Sequence, residues 1–546
     1  MPDKDKNIVK FNNFHKQQPV PFVIYADFEA ITEKISGCQP NDDKSYTNAY
    51  QKHTDCGFGY KVVCCYDDKY SQPLKIYRGE KAVYTFMEYL LDEVKYCKKV
   101  RKKEFNKPLI MTKEDEEKFL KANECYICNK KYTDKDIKVR DHCHITGKYR
   151  GSAHQECNLQ LRLNPEEVKI PVIFHNLRGY DSHFIMQEIG AIFKNHTYKN
   201  NKGEEKQMNI NAIPNNMEKY MAFMLGNHLT FIDSFQFMSS SLEKLVSNLS
   251  KESLKYTSKS FKGEKLDLMR KNAKNAFEKE FFKLMNNSVF GKTMENIRKR
   301  VDVRLVTDEK KLLKLTSKPT YVSCKIFNEN LVAVHKIKET ITLNRPAYVG
   351  MSILDLSKTL MYDFHYKYIK KNYGEKAMLL FTDTDSLTYE IEANDVYRDF
   401  WIDKDKFDNS DYPEGSPYFD KTNKKVIGKF KDEAAGVPIC EFVGLRSKMY
   451  SCIKDNEKGG KTAKGIKKNV IKNNITHENY RDTLFNNKQM HHKMKTIRSE
   501  NHQLGSYQIN KVSLSCFDDK RYIHDDGITS YAYGHFKISD KVPNRI

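Results

Sequence analysis

Residues 125–158 read CYICNKKYTDKDIKVRDHCHITGKYRGSAHQECN. The stretch opens with Cys125-x2-Cys128 and closes with His154-x2-Cys157, four soft or borderline donors in two close pairs. That spacing closes a tetrahedral zinc site, so a structural Zn2+ held by Cys125, Cys128, His154 and Cys157 is expected. Between the pairs lie Asp141-His142-Cys143-His144 and then Gly147-Lys148-x-Arg150-Gly151, and Asn158 directly follows the last ligand. From about Lys121 to Pro165 the chain has little apolar periodicity. A small module held by metal, inserted over 121–165, accounts for such a stretch.

Outside it the pattern changes. Short apolar runs at 21–30 (PFVIYADFEA), 57–66 (GFGYKVVCCY), 170–177 (IPVIFHNL) and 229–235 (LTFIDSF) read as strands, and AVYTFMEYLLDEV at 82–94 reads as a helix. Alternation of this kind predicts an α/β domain. In the first run Asp27 and Glu29 project to one face of the strand, and Asp181 follows in FHNLRGYDSHF. A carboxylate pair on an apolar strand with a third acid suggests two-metal hydrolysis of phosphodiesters.

The whole chain has 546 residues, enough for several domains, with 94 Lys and Arg against 72 Asp and Glu and a formal charge of +22. Such an excess suits a polyanionic partner. The hydrophobic fraction of 39%, with 31 Phe and 33 Tyr, excludes a disordered basic tail. Its 13 cysteines are scattered apart from the cluster above, which favours thiols and a metal over a disulfide framework; Cys64, Cys65 and Cys143 read as packed thiols. No apolar run is long enough to span a membrane and MPDKDKNIVK at the start is charged, so an intracellular protein without membrane contact is expected.

From about Lys265 the rhythm shifts and a new domain is expected. In KNAKNAFEKEFFKLMNNSVFG (271–291) helical periodicity puts Ala273, Phe277, Phe281, Leu284 and Met285 on one arc and Lys283, Asn287 and Phe290 on another. A second helix is expected near 351–371. The segment 377–392 then reads as a hairpin with Asp383 and Asp385 at its tip, where two like charges call for a divalent cation. Residues 454–472, with seven lysines and Gly459, Gly460 and Gly465, read as a flexible basic loop.

Several of these motifs resemble known families. Lys283-x3-Asn287-Ser288-x-Phe290-Gly291, Phe381-x-Asp383-Thr384-Asp385-Ser386 and Lys448-x-Tyr450 resemble, in this order, three motifs of family B DNA polymerases, of the protein-primed viral, organellar and Maverick/Polinton transposon type. The resemblance implies that Asp383 and Asp385 hold Mg2+ in a two-metal site. It also implies that Lys283 holds the triphosphate, that Asn287, Ser288, Phe290 and Gly291 face the nucleotide, and that Lys448 and Tyr450 contact DNA. Asp27-x-Glu29 and Asn176-x4-Asp181 are similar to the proofreading exonuclease motifs of the same polymerases. The inserted stretch resembles the His-Me finger of recombination endonuclease VII, which implies His142 as general base and Asp141 and Asn158 as ligands of one metal ion; His154 stands where that family often has Cys.

On these resemblances the fold is expected to be α/β and α+β, an RNase H-like 3′–5′ exonuclease domain at 1–264 with the zinc insertion. Fingers and partial palm would follow at 265–400, and the rest of an incomplete right-hand polymerase, palm and thumb, at 401–546. Template-primer DNA, deoxynucleoside triphosphates and a priming terminal protein are the implied partners. The chain departs from the polymerase pattern in two acids, one in D-x2-S-L-Y-P and one in Y-x3-D, neither of which is found; a loss near Phe261–Leu268 accounts for both. Asp233 is a candidate substitute whose neighbours match the exonuclease region better. A DNA-binding remnant, or a nuclease acting through His142, is therefore the alternative to a working polymerase.

Overall fold

Apolar alternation in FVIYADFEA gives β1 (Phe22–Lys34), whose Phe22, Ile24 and Phe28 are buried while Asp27 and Glu29 face outward. The computed structural model describes residues 18–38, 40–105, 107–161, 168–194, 197–199, 205–207, 209–226, 228–242, 245, 276–456, 459–517, 521–524, 530–532, 535–536 and 538. The described residues fall into two compact units, one drawn from within 1–35, 51–345 and 497–505, the other from within 36–50, 346–496 and 506–546.

In the first unit β1 pairs antiparallel with β2 (Tyr46–Cys64), which pairs antiparallel with β3 (Lys75–Arg78). The helix α1 (Ala82–Glu104) presents Val83, Phe86, Met87, Leu90 and Val94 to the core at helical spacing. The insertion contains α2 (Lys113–Lys121), the hairpin β4 (Lys138–His142) and β5 (Tyr149–His154), and α3 (Gln155–Leu161). The chain then returns to the sheet through β6 (Ile170–Phe174), parallel to β1, and α4 (Asp181–Lys194). A small pair, β7 (Thr197–Lys199) with β8 (Glu205–Gln207), precedes β9 (Ile210–Pro214), β10 (Tyr220–Leu225) and β11 (Leu229–Asp233). β11 runs parallel to β6, so the sheet includes the run β2-β1-β6-β11-β10-β9, in which β1, β6 and β11 are mutually parallel, and β3 pairs with β2 off this run. Phe28, Phe58, Phe86, Phe174, Phe184 and Phe231 meet in the core behind them, with the Phe28 and Phe174 rings stacked at 5.7 Å.

Three expectations change. The strand expected at 57–66 begins at Tyr46: its early half is polar because Gln51–Thr54 pair with the largely exposed Ile31–Lys34 and need no buried face. The helix expected at 82–94 continues to Glu104, since Cys97, Val100 and Arg101 keep the same buried spacing. The described part of the helix expected over 271–291 is α5 (Ala276–Thr293), and β12 (Asp302–Val306), α6 (Glu309–Thr316), β13 (Tyr321–Asn328) and β14 (Leu331–Lys336) follow it. Val303, Leu305, Leu331 and Ala333 join the first unit's core, so the chain leaves that unit between Arg345 and Pro346 and not at Lys265.

In the second unit α7 (Ala347–Asp363) runs into a wider helical turn at Phe364–Ile369 and leads to the hairpin β15 (Ala377–Asp383) and β16 (Ser386–Ile391). A separate sheet, β17 (Ile439–Arg446), β18 (Met449–Lys454) and β19 (Gly459–Ala463), packs with α8 (Lys468–Asn474) and α9 (His477–Phe485) around Val443, Met449, Ile466, Val470 and Tyr480. The basic loop expected at 454–472 is thus corrected to the end of β18, then β19 and the start of α8. Gly459 is admitted as a strand residue because a Cβ there would stand 2.1 Å from the Cys452 carbonyl oxygen. Ala273, and the suggested loss near 261–268, lie outside the described residues, as do the side chains of Phe277 and Phe281.

Candidate metal centre and carboxylate sites

The insertion brings its four expected ligands together. One donor atom from each of Cys125, Cys128, His154 and Cys157 lies within 4.8 Å of all the others. A tight turn follows Cys125, closed by the Asn129 N–H donating to the Cys125 carbonyl at 2.8 Å, with Asn129 left-handed at φ 57°. His154 ends β5 and Cys157 stands in α3, so hairpin and helix deliver the second pair. His154 Nδ1 faces the thiols, 3.5 Å from Cys128 Sγ and 3.9 Å from Cys157 Sγ, while its Nε2 lies 3.5 Å from the Asp136 carboxylate. A carboxylate on the far nitrogen fixes the ring for coordination through the near one. Burial works against a Cys125 thiolate, yet N–H groups of Cys128, His154 and Ile127 bring its pKa down, whereas burial and Cys128 push that of Cys157 up. Three thiols this close together settle as thiolates only around a cation, and three sulfurs with one imidazole are the donor set of structural zinc.

Asp141 and His142 end β4, and the register slips between them: Asp141 faces Gly151 but His142 faces Tyr149. The irregularity separates two neighbours, Asp141 buried and His142 half-buried with its ring 4.5 Å from that of His144. Asn158 follows on α3, half-buried. Asp141 accepts hydrogen bonds from Arg150 Nε at 2.7 Å, from Arg150 Nη2 at 2.8 Å and from the Tyr126 hydroxyl. Burial and the Asp141 charge raise the Tyr126 pKa, which keeps the phenol a donor. Two glycines shape this hairpin. Gly147 sits at φ +77°, where a Cβ would approach the Pro108 carbonyl oxygen to 2.8 Å, and Gly151 lies under the Tyr126 ring. Tyr126 carries no signal of its own in the sequence; its place inside Cys125-x2-Cys128 was the only one.

The module is larger than 121–165. Thr112 and Asp115 form a capping box that starts α2, which packs on β5, and Phe119 of α2 lies under Arg140, 4.1 Å from guanidinium to ring centre. Of the thiols expected to be packed, Cys64 is buried and Cys143 half-buried, but Cys65 is exposed because β2 ends at Cys64.

Asp27 and Glu29 share a face of β1, and their partners across the β2 register are Gly59 and Gly57. Gly59 leaves room there, whereas at Gly57 a Cβ would stand 2.7 Å from the Tyr77 carbonyl oxygen of β3. Asp181, at the start of α4, is 2% exposed and accepts the Phe28 N–H at 3.3 Å. Burial, then the charges of Asp27 and Asp233, push its pKa up to about 8; burial and Glu29 raise that of Asp27. The three acids face one another electrostatically but, among the described residues, do not form a group as tight as the cysteine cluster. Asp233 belongs beside them: its carboxylate accepts the N–H groups of Asn176 at 2.9 Å, Arg178 at 3.2 Å and Phe235 at 2.9 Å.

In the second unit Thr384 and Asp385 form the two-residue tip between β15 and β16, with Thr384 left-handed at φ 57° and the Asp385 N–H donating to the Asp383 carbonyl at 2.6 Å. A second tip, Ser447-Lys448 between β17 and β18, also has a left-handed residue, Lys448 at φ 59°. The two tips meet: Lys448 Nζ lies 3.5 Å from Asp383 Oδ2, and the Phe381 and Tyr450 rings are 4.6 Å apart. Lys283, Asn287, Ser288 and Gly291 are exposed on α5 and Phe290 is half-buried. They belong to the first unit, and the hairpin with which the polymerase resemblance would group them belongs to the second.

Residues 101–169 match the family model described as recombination endonuclease VII. No curated protein matches the chain. The chain thus contains an endonuclease VII-like segment with a Cys3His cluster, and no helix among the described residues is long and apolar enough to cross a membrane.

Proposed function

We propose that the chain is a DNA-binding protein whose residues 101–169 form a zinc-stapled endonuclease module. The observation that carries this reading is the Cys125, Cys128, His154 and Cys157 cluster joining a hairpin that ends in Asp141 and His142 to a helix that bears Asn158, within the segment that resembles recombination endonuclease VII. Zinc would be structural, since all four of its positions are supplied by protein donors. Asp141 and Asn158 would hold one divalent ion such as Mg2+, which when bound neutralises charge on the scissile phosphate. His142, half-buried at the end of β4, would take the proton of the attacking water; a histidine is suited to that because its ordinary pKa lies close to neutrality. The net charge of +22 supports binding of DNA in general, through phosphates.

The module sits in a sheet whose order and directions, β3-β2-β1 antiparallel followed by β6 and β11 parallel to β1, support an RNase H-like reading of the first unit. Asp27, Glu29 and Asp181 would then be an exonuclease site with Mg2+. A second reading, the family B polymerase, is favoured by one observation: Asp383 and Lys448, from motifs far apart in sequence, come together at two hairpin tips. Asp383 and Asp385 would be its metal ligands and Lys448 and Tyr450 its DNA contacts.

The experiment is metal-dependent cutting of duplex DNA, and separately primer extension with Mg2+ and four deoxynucleotides, by the full chain and by His142→Ala and Asp385→Asn. The nuclease reading expects cutting that is lost in His142→Ala and kept in Asp385→Asn. Extension abolished by Asp385→Asn would establish the polymerase instead, and DNA binding without either activity would make the chain a remnant.

A further inference from the structure

The second unit gathers lysines from three segments at one place. The turn 464–467, between β19 and α8, carries Lys464 and Lys467, and Lys468 and Lys472 follow on α8 four positions apart, hence on one face. From Lys461 to Lys472 the chain has five lysines and no acid. β20 (Met490–Glu500) lies against this turn: the Lys467 N–H donates to Met494 Sδ at 3.3 Å, and the Lys467 ammonium donates to the Lys495 carbonyl. Met494 is buried in the core around Val443 and Tyr480, so Lys495, the next residue of the strand, stands on the opposite, exposed face, its ammonium 5.7 Å from the centre of the Tyr50 ring. β21 (Gln503–Leu514) brings Lys511 to the turn. Gly465 is left-handed at φ +87°, and a Cβ there would stand 2.9 Å from Lys511 Nζ, so the glycine admits both the turn and the ammonium.

We infer that this row of lysines is a binding site for the phosphate backbone of duplex DNA, separate from the endonuclease module; the choice of DNA among polyanions rests on the DNA-binding reading above. Among the described residues none of Lys464, Lys467, Lys468, Lys472, Lys495 and Lys511 pairs with a carboxylate, whereas lysines beside the row do. Lys493 meets Asp42 at 2.7 Å, and Lys448, whose carbonyl accepts the Lys464 N–H at 3.1 Å, lies 3.5 Å from Asp383. Ammonium groups gathered without counter-charge repel one another, and a polyanion laid along them relieves that repulsion. Their spread over a turn, a helix face and a strand suits an extended polymer with a charge on every phosphate; a small anion would need donors converging on one pocket. Lysine is a point charge without the fork that reads a base edge, so binding here is indifferent to sequence.

Fluorescence anisotropy of a short labelled duplex, titrated with zinc-loaded full chain over a salt series and without added Mg2+, reads the site. Lys464→Gln, Lys468→Gln and Lys495→Gln are combined in one variant, since all three side chains are exposed. Each phosphate contact contributes about 0.9 to the slope of log affinity against log salt, so the variant is expected to lower that slope by about 2 to 3 and to weaken binding to unrelated sequences equally. The control removes the same charge elsewhere, at the exposed Lys310, Lys311 and Lys314 of α6, and should keep the native slope. If the triple variant melts below the native chain, Lys468→Gln alone decides, with the slope lowered by about 0.9. An unchanged slope in the lysine-row variants, or an equal loss in the control, overturns the inference. So does tighter binding of polyglutamate or of duplex RNA than of duplex DNA, which would assign the row to an acidic protein or to RNA. A native chain that fails to bind duplex DNA at low salt brings down the DNA-binding reading along with the inference, an outcome distinct from a native chain that binds and row variants that bind as well.

Discussion

At the scale of single residues, charges in this protein are held by groups that neither sequence distance nor composition reveals. Glu295, just past α5, accepts hydrogen bonds from Arg300 at 2.6 Å and 2.7 Å and from Arg345 at 3.3 Å, with Lys292 at 2.9 Å. Arg300 first, then Lys292 and Arg345, hold its carboxyl well below the usual range. An acid with a depressed folded pKa stabilises above its unfolded pKa, near 4.5 here, and that contribution is lost as pH falls further. Melting temperature measured from pH 6 to pH 3 should fall less steeply in Glu295→Gln than in the native chain. At neutral pH the same change should cost about 1 kcal/mol, a modest figure because the cluster lies near the surface. An equal slope in both proteins would contradict it. The zinc ligands, by contrast, were legible, because two close pairs of donors are local in sequence. The grip of Tyr126 on Asp141 was not, since it depends on a side chain that Gly151 lacks.

Among elements, the hairpins carry the informative strain. Thr384 is β-branched and left-handed at φ 57°, a combination that costs on the order of 1–3 kcal/mol. Thr384→Gly should therefore stabilise the second unit by roughly 1 kcal/mol, net of the extra freedom glycine gives the unfolded chain, as read by denaturant midpoint. A lower midpoint would mean that the tip is not strained. In the insertion the opposite substitution is the test: Gly151→Ala should destabilise β4–β5 by about 1–3 kcal/mol, because the Tyr126 ring must move. Strands with one buried face, such as β1, β6 and β11, could be read from alternation. The early half of β2 and β19 could not, since their pairing is satisfied by backbone alone and their side chains stay polar. The meeting of Asp383 with Lys448 has a different origin, being set by how two hairpins pack and not by the pattern of either strand.

Across the whole molecule, the module and its host sheet should come apart energetically. Residues 101–169 reach the core of the first unit through Phe105, Ile145 and the half-buried Cys143, while the cluster of Cys125, Cys128, His154 and Cys157 joins the knuckle to β5 and α3. Chelation of zinc should erase hydrogen-exchange protection in β4 and β5 and leave it in β6 and β11; loss in all four would mean the metal supports the entire unit. DNA affinity should fall steeply with salt, on the order of a thousandfold between about 50 and 200 mM, if phosphate contacts dominate. A salt-independent affinity would place recognition elsewhere.

The central claim concerns His142, and a covalently closed circular plasmid tests it most directly. Such DNA has no end, so an exonuclease at Asp27, Glu29 and Asp181 cannot act on it, and it offers no primer terminus to extend. With Mg2+ or Mn2+ present, the full chain is expected to nick the circle, Asp27→Asn to nick it equally well, and His142→Ala to leave it closed while retaining its zinc. Nicking that persists undiminished in His142→Ala, or an uncut circle with the native chain at saturating DNA occupancy, would contradict the account.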